Sequence, residues 1–290
     1  MRVAAVDIGT NSTRLLVVDH DGRDLARRTV ITGLGRGMHH TGRLSPEGRR
    51  DTIAALRDYR RELERAEVEV VRAVITAVGR SISDIQPFLA EAGDALGTQP
   101  EVISGDEEAR LSYRGAVSEL GGGDWTVVDI GGGSTEIVTE SAARSADVGS
   151  VRLTDLYLES RPAPAAAVDE ARRHARRMLD TDPAPGAAVG VAGTWTTLAA
   201  VTLERYDPEE VHHSTLDRAT VSDWVERLSA LTVEDTAALP GIEPRRAPVI
   251  LGGSIVAEQV MEVLGVDRCV VSERDLLDGI AAGLRDVAGE

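Results

Sequence analysis

The sequence contains no lysine: all 32 basic residues are arginines, set against 48 acidic residues for a net charge of −16. That absence excludes a P-loop lysine, a Schiff-base lysine and a lysine general base. The negative balance also argues against non-specific nucleic-acid binding, which draws on a basic surface. An anionic ligand would have to be met locally, by arginine, backbone amides and a bound metal. Cysteine is nearly as scarce. Cys269 stands alone, which excludes an intrachain disulfide and a thiolate metal cluster, and the run Cys269-Val270-Val271 predicts a buried structural thiol. No stretch approaches the ~20 consecutive apolar residues of a membrane helix. Asp7 interrupts the N-terminal segment before a signal-peptide core could form. The expectation is a cytoplasmic protein with no membrane and no nucleic-acid partner. His39-His40 and His212-His213 are adjacent pairs, expected to point apart on a helix or a strand, so neither reads as a metal cluster.

What is present is a chain of 290 residues, 42% hydrophobic, enough for one large or two ordinary domains. Residues 2–8 predict a buried strand, 14–19 a second, and His20-Asp21-Gly22 a tight hairpin turn into a third strand ending near 32. Ser45-Pro46 reads as an N-cap with proline in the first helical position, opening a helix to about 67. Further strands are expected at 68–78 and 101–104, with helices at 84–96 and 106–120. Gly121-Gly122-Gly123 breaks the pattern and divides the chain into residues 1–122 and 123–290. The second part restarts with strands at 125–129 and 136–139. Residues 161–167 read as a surface connection. Helices are expected over 168–179, 194–206, 221–231, 254–264 and 275–287, and short strands at 188–192, 249–251 and 269–271. This is a mixed α/β chain whose halves open alike.

The two openings carry the chemistry. Asp7-Ile8-Gly9-Thr10-Asn11-Ser12-Thr13 and Asp129-Ile130-Gly131-Gly132-Gly133-Ser134-Thr135 share five residue types in seven positions, each after a hydrophobic strand. Glycine lets a hairpin backbone approach an anion closely, and serine or threonine adds hydroxyl donors. An aspartate at the strand end suits a hydrated divalent ion or a polarised water. One such loop is more often structural than functional. Two, one opening each half, point to paired lobes facing a phosphate-binding cleft. Just upstream of the second loop lies Ser104-Gly105-Asp106-Glu107-Glu108-Ala109-Arg110-Leu111, whose acids by themselves would only complement a helix dipole.

Together these residues resemble the exopolyphosphatase and guanosine pentaphosphate phosphohydrolase family, within the actin, hexokinase and Hsp70 superfold. The resemblance runs from residues 7–12 through the acidic motif at 105–110 and the second loop at 129–136. It continues in Gly149-Ser150-Val151-Arg152-Leu153-Thr154, Ala192-Gly193-Thr194-Trp195, residues 239–246, Gly252-Gly253 and Ser272-Glu273. It implies two ribonuclease-H-like lobes, with the last helix, from Asp275, a candidate to cross back onto the first. It places the water-activating role on Glu108 and a Mg²⁺ or Mn²⁺ ion on Asp7 and Asp129. Gly9, Thr10, Asn11, Ser12, Gly131, Gly132, Gly133 and Ser134 would hold the terminal phosphate, and Arg80, Arg110 and Arg246 are candidates for the rest of the polyanion. Two segments depart from the family: Gly33-Leu34-Gly35-Arg36-Gly37, and Thr76-Ala77-Val78-Gly79-Arg80-Ser81-Ile82-Ser83-Asp84. The implied reaction is metal-dependent hydrolysis of a terminal phosphoanhydride in polyphosphate or guanosine pentaphosphate. The expected partners are that substrate and a second copy of the chain. Two rivals stay open: a weakly active or inactive member that senses guanosine polyphosphates, and an ATP-dependent small-molecule kinase of the same superfold.

Overall fold

The computed structural model describes residues 1–82, 85–180 and 186–289. They form two compact units, Met1–Ser118 with Arg274–Glu290, and Glu119–Glu273. Each unit is built on one mixed sheet.

In the first unit β1 (Val3–Ile8), β2 (Ser12–Val18) and β3 (Asp24–Ile31) form an antiparallel meander, and β4 (Val70–Ile75) and β5 (Glu101–Val102) run parallel to β1. The order across the sheet is β3-β2-β1-β4-β5. β1 is buried along its whole length because both faces of the sheet are covered, which is why every residue in it but Asp7 is apolar. Ala4, Val6 and Ile8 face a core shared with the helices Pro46–Arg65 and Gln86–Leu96. Val3 and Ala5 point the other way, toward Ile103, Leu111, Leu276, Leu277 and Ile280. The strand period of two puts Asp7 on that second face. It is covered by the helices Gly105–Val117 and Leu276–Gly289, which pack almost backbone to backbone. A Cβ on Gly115 would collide with Asp275 O, and one on Gly279 with Leu111 O.

The second unit repeats the plan. β6 (Trp125–Ile130), β7 (Thr135–Val138) and β8 (Ala143–Ala146) form the meander, β9 (Ala187–Val191) lies parallel to β6, and β10 (Thr215–Asp217) pairs antiparallel with β11 (Arg268–Val271) at the far edge. The order is β10-β11-β9-β6-β7-β8. One large core holds it together, centred on the helix Ile250–Leu264, which is buried nearly all round. The fold is that of two ribonuclease-H-like lobes of the actin-like superfold.

Several expectations need correction. Residues 249–251 are not a strand: Val249 caps the helix Ile250–Leu264, whose first two turns carry only Ser254 as a polar side chain and so show no helical period to read. The helix Ala165–Met178 begins inside the stretch taken for a connection. β8, β10 and the helix Ser150–Tyr157 were not anticipated. The strand expected over 68–78 ends at Ile75, and Ala77–Arg80 is a single helical turn. The start of the helix expected at 84, and the Ser83-Asp84 end of the departing segment, lie outside the described residues.

Candidate active site

The two glycine loops share one construction. Gly9 N–H donates to Ser12 O at 2.9 Å, and Gly131 N–H to Ser134 O at 3.0 Å. A Cβ on Gly9 would stand 3.1 Å from Ser12 O, and one on Gly131 3.2 Å from Ser134 O, so each turn is too tight for a side chain at that point without displacement. The loop carbonyls are claimed from behind. In the first unit Asn11 O accepts from Thr32 N and Gly33 N, and Thr10 O accepts from Gly35 N. In the second, Gly131 O accepts from Ser150 N, Gly132 O from Val151 N and Arg152 N, and Gly133 O from Arg152 Nε at 3.0 Å. The amides of Thr10, Asn11, Gly132 and Gly133 donate to no other group among the described residues. Clamped carbonyls and available amides make a concavity able to accept an anion.

The aspartates before the loops have different neighbours. Asp7 is 4% exposed and lies opposite Arg14 in the β1–β2 ladder. Arg14 Nε and Nη2 both donate to Asp7 Oδ2, at 2.9 and 2.8 Å. Oδ1 is buried and has no hydrogen-bond partner. Burial pushes the Asp7 carboxyl above the usual carboxylate range, against the opposing pull of Arg14. Asp129, also buried, lies opposite Glu136 in the β6–β7 ladder. Two carboxylates facing each other on one strand pair repel, and a cation offsets that cost. An orphaned carboxylate oxygen in one unit and paired carboxylates in the other are donor sets that fit a hard divalent ion.

Glu107 and Glu108 diverge as neighbours on a helix must. Ser104 caps the helix by accepting from Glu107 N at 3.1 Å. Glu107 is half-exposed and paired with Arg72 at 2.5 Å. Glu108 is buried, and Arg80 Nη1 donates to its Oε2 at 2.7 Å and to Ile103 O at 3.1 Å. The structure thus brings Arg80 to Glu108. Arg110, two residues on, lines a shallow groove of about 430 Å³ with Asp106, Glu107 and Arg114. It stands on the opposite side of the helix from Glu108.

Within the second unit several sequence-singled residues converge. The Gly131 carbonyl holds Ser150. A Cβ on Gly253 would lie 2.6 Å from Thr194 Oγ1 and 3.2 Å from Ser150 Cβ. The Arg246 guanidinium lies against Gly193, where any side chain would displace it. Ala192, just before this turn, adopts a left-handed φ of 67°, a strained conformation for a residue with a Cβ. Gly149 and Arg152 are the loop supports that motif reading did not assign a role, although both stand in a family-like segment.

The histidine expectation needs correction as well. The His212 and His213 rings stack with centroids 3.8 Å apart, because His213 takes a φ of +63° that folds it back on its neighbour. Glu119 Oε2 lies 3.0 Å from His212 Nε2, and Glu273 N donates to His212 Nδ1. Since Nδ1 accepts, the neutral ring carries its proton on Nε2, toward the carboxylate. Glu119, His212 and His213 thereby bring three possible donor atoms within 4.8 Å of one another, a grouping that adjacent-pair reasoning did not anticipate. Cys269 is buried, as its apolar run led one to expect.

Comparison with known proteins identifies the family. The chain is 43% identical over 98% of its length, and 98% of the relative's, to exopolyphosphatase 2 of Mycobacterium tuberculosis. It is 30% identical over 98% of its length to the guanosine-5'-triphosphate,3'-diphosphate pyrophosphatase of Vibrio parahaemolyticus, covering 59% of that protein. The solved PPX-GPPA enzyme of Aquifex aeolicus superposes with a TM-score of 0.80 at 32% identity, covering 98% of this chain and 99% of that one. The model of the Ppx/GppA phosphatase family matches residues 4–286, and the chain is a phosphoanhydride hydrolase belonging to that family.

Proposed function

We propose that this enzyme releases orthophosphate from the end of inorganic polyphosphate in a divalent-metal-dependent reaction, with guanosine pentaphosphate as an alternative substrate for the same chemistry. The observation that carries the reading is the repeated loop: a buried aspartate, a glycine turn closed by the same hydrogen bond, and tip amides left to donate. The full-length similarity to an exopolyphosphatase supports polyphosphate as the principal substrate.

In this reading the amides of each glycine loop, residues 9–12 and residues 131–134, bind phosphoryl oxygens of the substrate. Asp7 and Asp129 would hold Mg²⁺ or Mn²⁺, which when bound neutralises charge on the phosphates. Glu108 takes a proton from water as the water oxygen bonds to the terminal phosphorus. The bond from that phosphorus to the bridging oxygen breaks, and the shortened chain keeps that oxygen. Arg80, which donates to Glu108, would fix the rotamer of the base, and Arg246, which lies against Gly193, is the candidate to meet more distant phosphates.

The test is phosphate release from long-chain polyphosphate, tripolyphosphate, pyrophosphate and guanosine pentaphosphate, each with and without Mg²⁺. Release from polyphosphate without any acceptor supports the reading. Turnover that requires an acceptor and forms ADP from ATP would establish the kinase instead, and tight binding of guanosine polyphosphate without turnover would establish a sensor.

A further inference from the structure

Arg14 does more than face Asp7. Its Nε and Nη2 close on Asp7 Oδ2, while Nη1 on the other side of the planar group meets Asp275 Oδ2. Asp275 is 5% exposed and stands at the start of the C-terminal helix, where its Oδ1 also accepts from Leu277 N at 3.0 Å. Its own N–H donates to Asp278 Oδ2 at 2.9 Å, and Asp278 is held by Arg27 and Arg274. A guanidinium gripped on two edges has its plane fixed, which a single ion pair does not achieve. Docking the helix does not need this link. Leu276, Leu277 and Ile280 are buried against β1, and Gly115 and Gly279 bring the two helix backbones together. The chain Asp275–Arg14–Asp7 is therefore an additional device, and what it fixes is the carboxylate whose Oδ1 is left buried without a partner.

We propose that Arg14 and Asp275 are positioning residues for Asp7, setting the direction in which its remaining oxygen is offered to a divalent cation. The proposal rests on the reading of Asp7 as a metal-holding residue. Outer partners of this kind orient a ligand, and losing one costs about 10–100-fold in metal affinity. A lysine at position 14 would keep the charge but could not span both carboxylates.

The experiment uses the metal-stripped full-length protein and follows Mn²⁺ binding by water-proton relaxation, with no substrate present. Arg14→Lys and Asp275→Asn are expected to raise the Mn²⁺ Kd by about tenfold or more. Asp286→Asn makes the same charge change on the same helix and breaks its pair with Arg114, away from Asp275, so it should leave the Kd near that of the unmodified protein. Asp7→Asn reads the parent assumption. If Asp7→Asn weakens Mn²⁺ binding while Arg14→Lys and Asp275→Asn do not, the positioning proposal is overturned and the metal reading stands. If Asp286→Asn weakens binding as much as Asp275→Asn, the effect is one of helix charge or stability and the proposal is again overturned. If Asp7→Asn binds Mn²⁺ unchanged, the metal reading fails and the proposal with it.

Discussion

Replacing Gly149 with alanine is expected to disable the second loop by a purely steric route. Gly149 has φ −160° and ψ 175°, an extended conformation open to any residue, so alanine brings no backbone strain. Its Cβ, however, would lie 2.7 Å from Gly131 O and 2.7 Å from Gly132 C and O, where ordinary contact begins at 3.4 Å. These are backbone atoms of the loop itself, already hydrogen-bonded to the helix Ser150–Tyr157, so no side chain can swing aside. Relief requires the loop to move away by roughly 0.7 Å, a shift approaching the 1 Å misplacement that costs about 10²-fold in rate. We expect kcat/KM for phosphate release from polyphosphate to fall by about 10²-fold, with a stability loss of about 1–3 kcal/mol as for other overpacked sites. Gly122→Ala, where nothing lies within 4 Å, is the control and should change neither. Wild-type kcat/KM in Gly149→Ala would refute the claim that this loop's position matters to the reaction.

Other outcomes follow from the same geometry. Treatment with EDTA should abolish phosphate release and added Mg²⁺ or Mn²⁺ should restore it; full activity in rigorously metal-free protein would remove the metal from the account. Because burial raises the Asp7 carboxyl, its ionised form costs stability above the folded-state titration range, and the native state gains relative stability as pH falls through it. Asp7→Asn should therefore melt at or above the wild-type temperature at neutral pH, with the advantage shrinking on acidification, even as activity is lost. Burial likewise pushes the Cys269 thiol up, so it should resist a thiol reagent in the native protein and react on unfolding; rapid native labelling would contradict its placement.

The duplicated openings were legible because a buried strand that ends in an aspartate and a glycine hairpin leaves a local signature, and it recurs. Other features are written in long-range contacts. The first two turns of the 250–264 helix are almost wholly apolar, so its first residues could be taken for a strand. β8 and β10 are short edge strands carrying exposed polar residues, with little pattern to detect. Arg14 and Asp275 are 261 positions apart, and nothing local to either announces the other. The Arg80–Glu108 contact was likewise hidden: both residues stood out, but as a phosphate ligand and a base rather than as partners. The stacking of His212 on His213 depends on one left-handed residue that sequence periodicity does not anticipate.

The central claim, that Glu108 activates the attacking water, is tested most directly by comparing Glu108→Gln with Glu107→Gln in a phosphate-release assay on polyphosphate at saturating Mg²⁺. Glutamine keeps the shape of the buried side chain and its contact with Arg80 while removing the proton acceptor, so kcat should fall by roughly 10²–10⁴-fold with little loss of substrate binding. Glu107→Gln, at a half-exposed residue paired with Arg72, should cost far less. Near-wild-type kcat in Glu108→Gln would contradict the account.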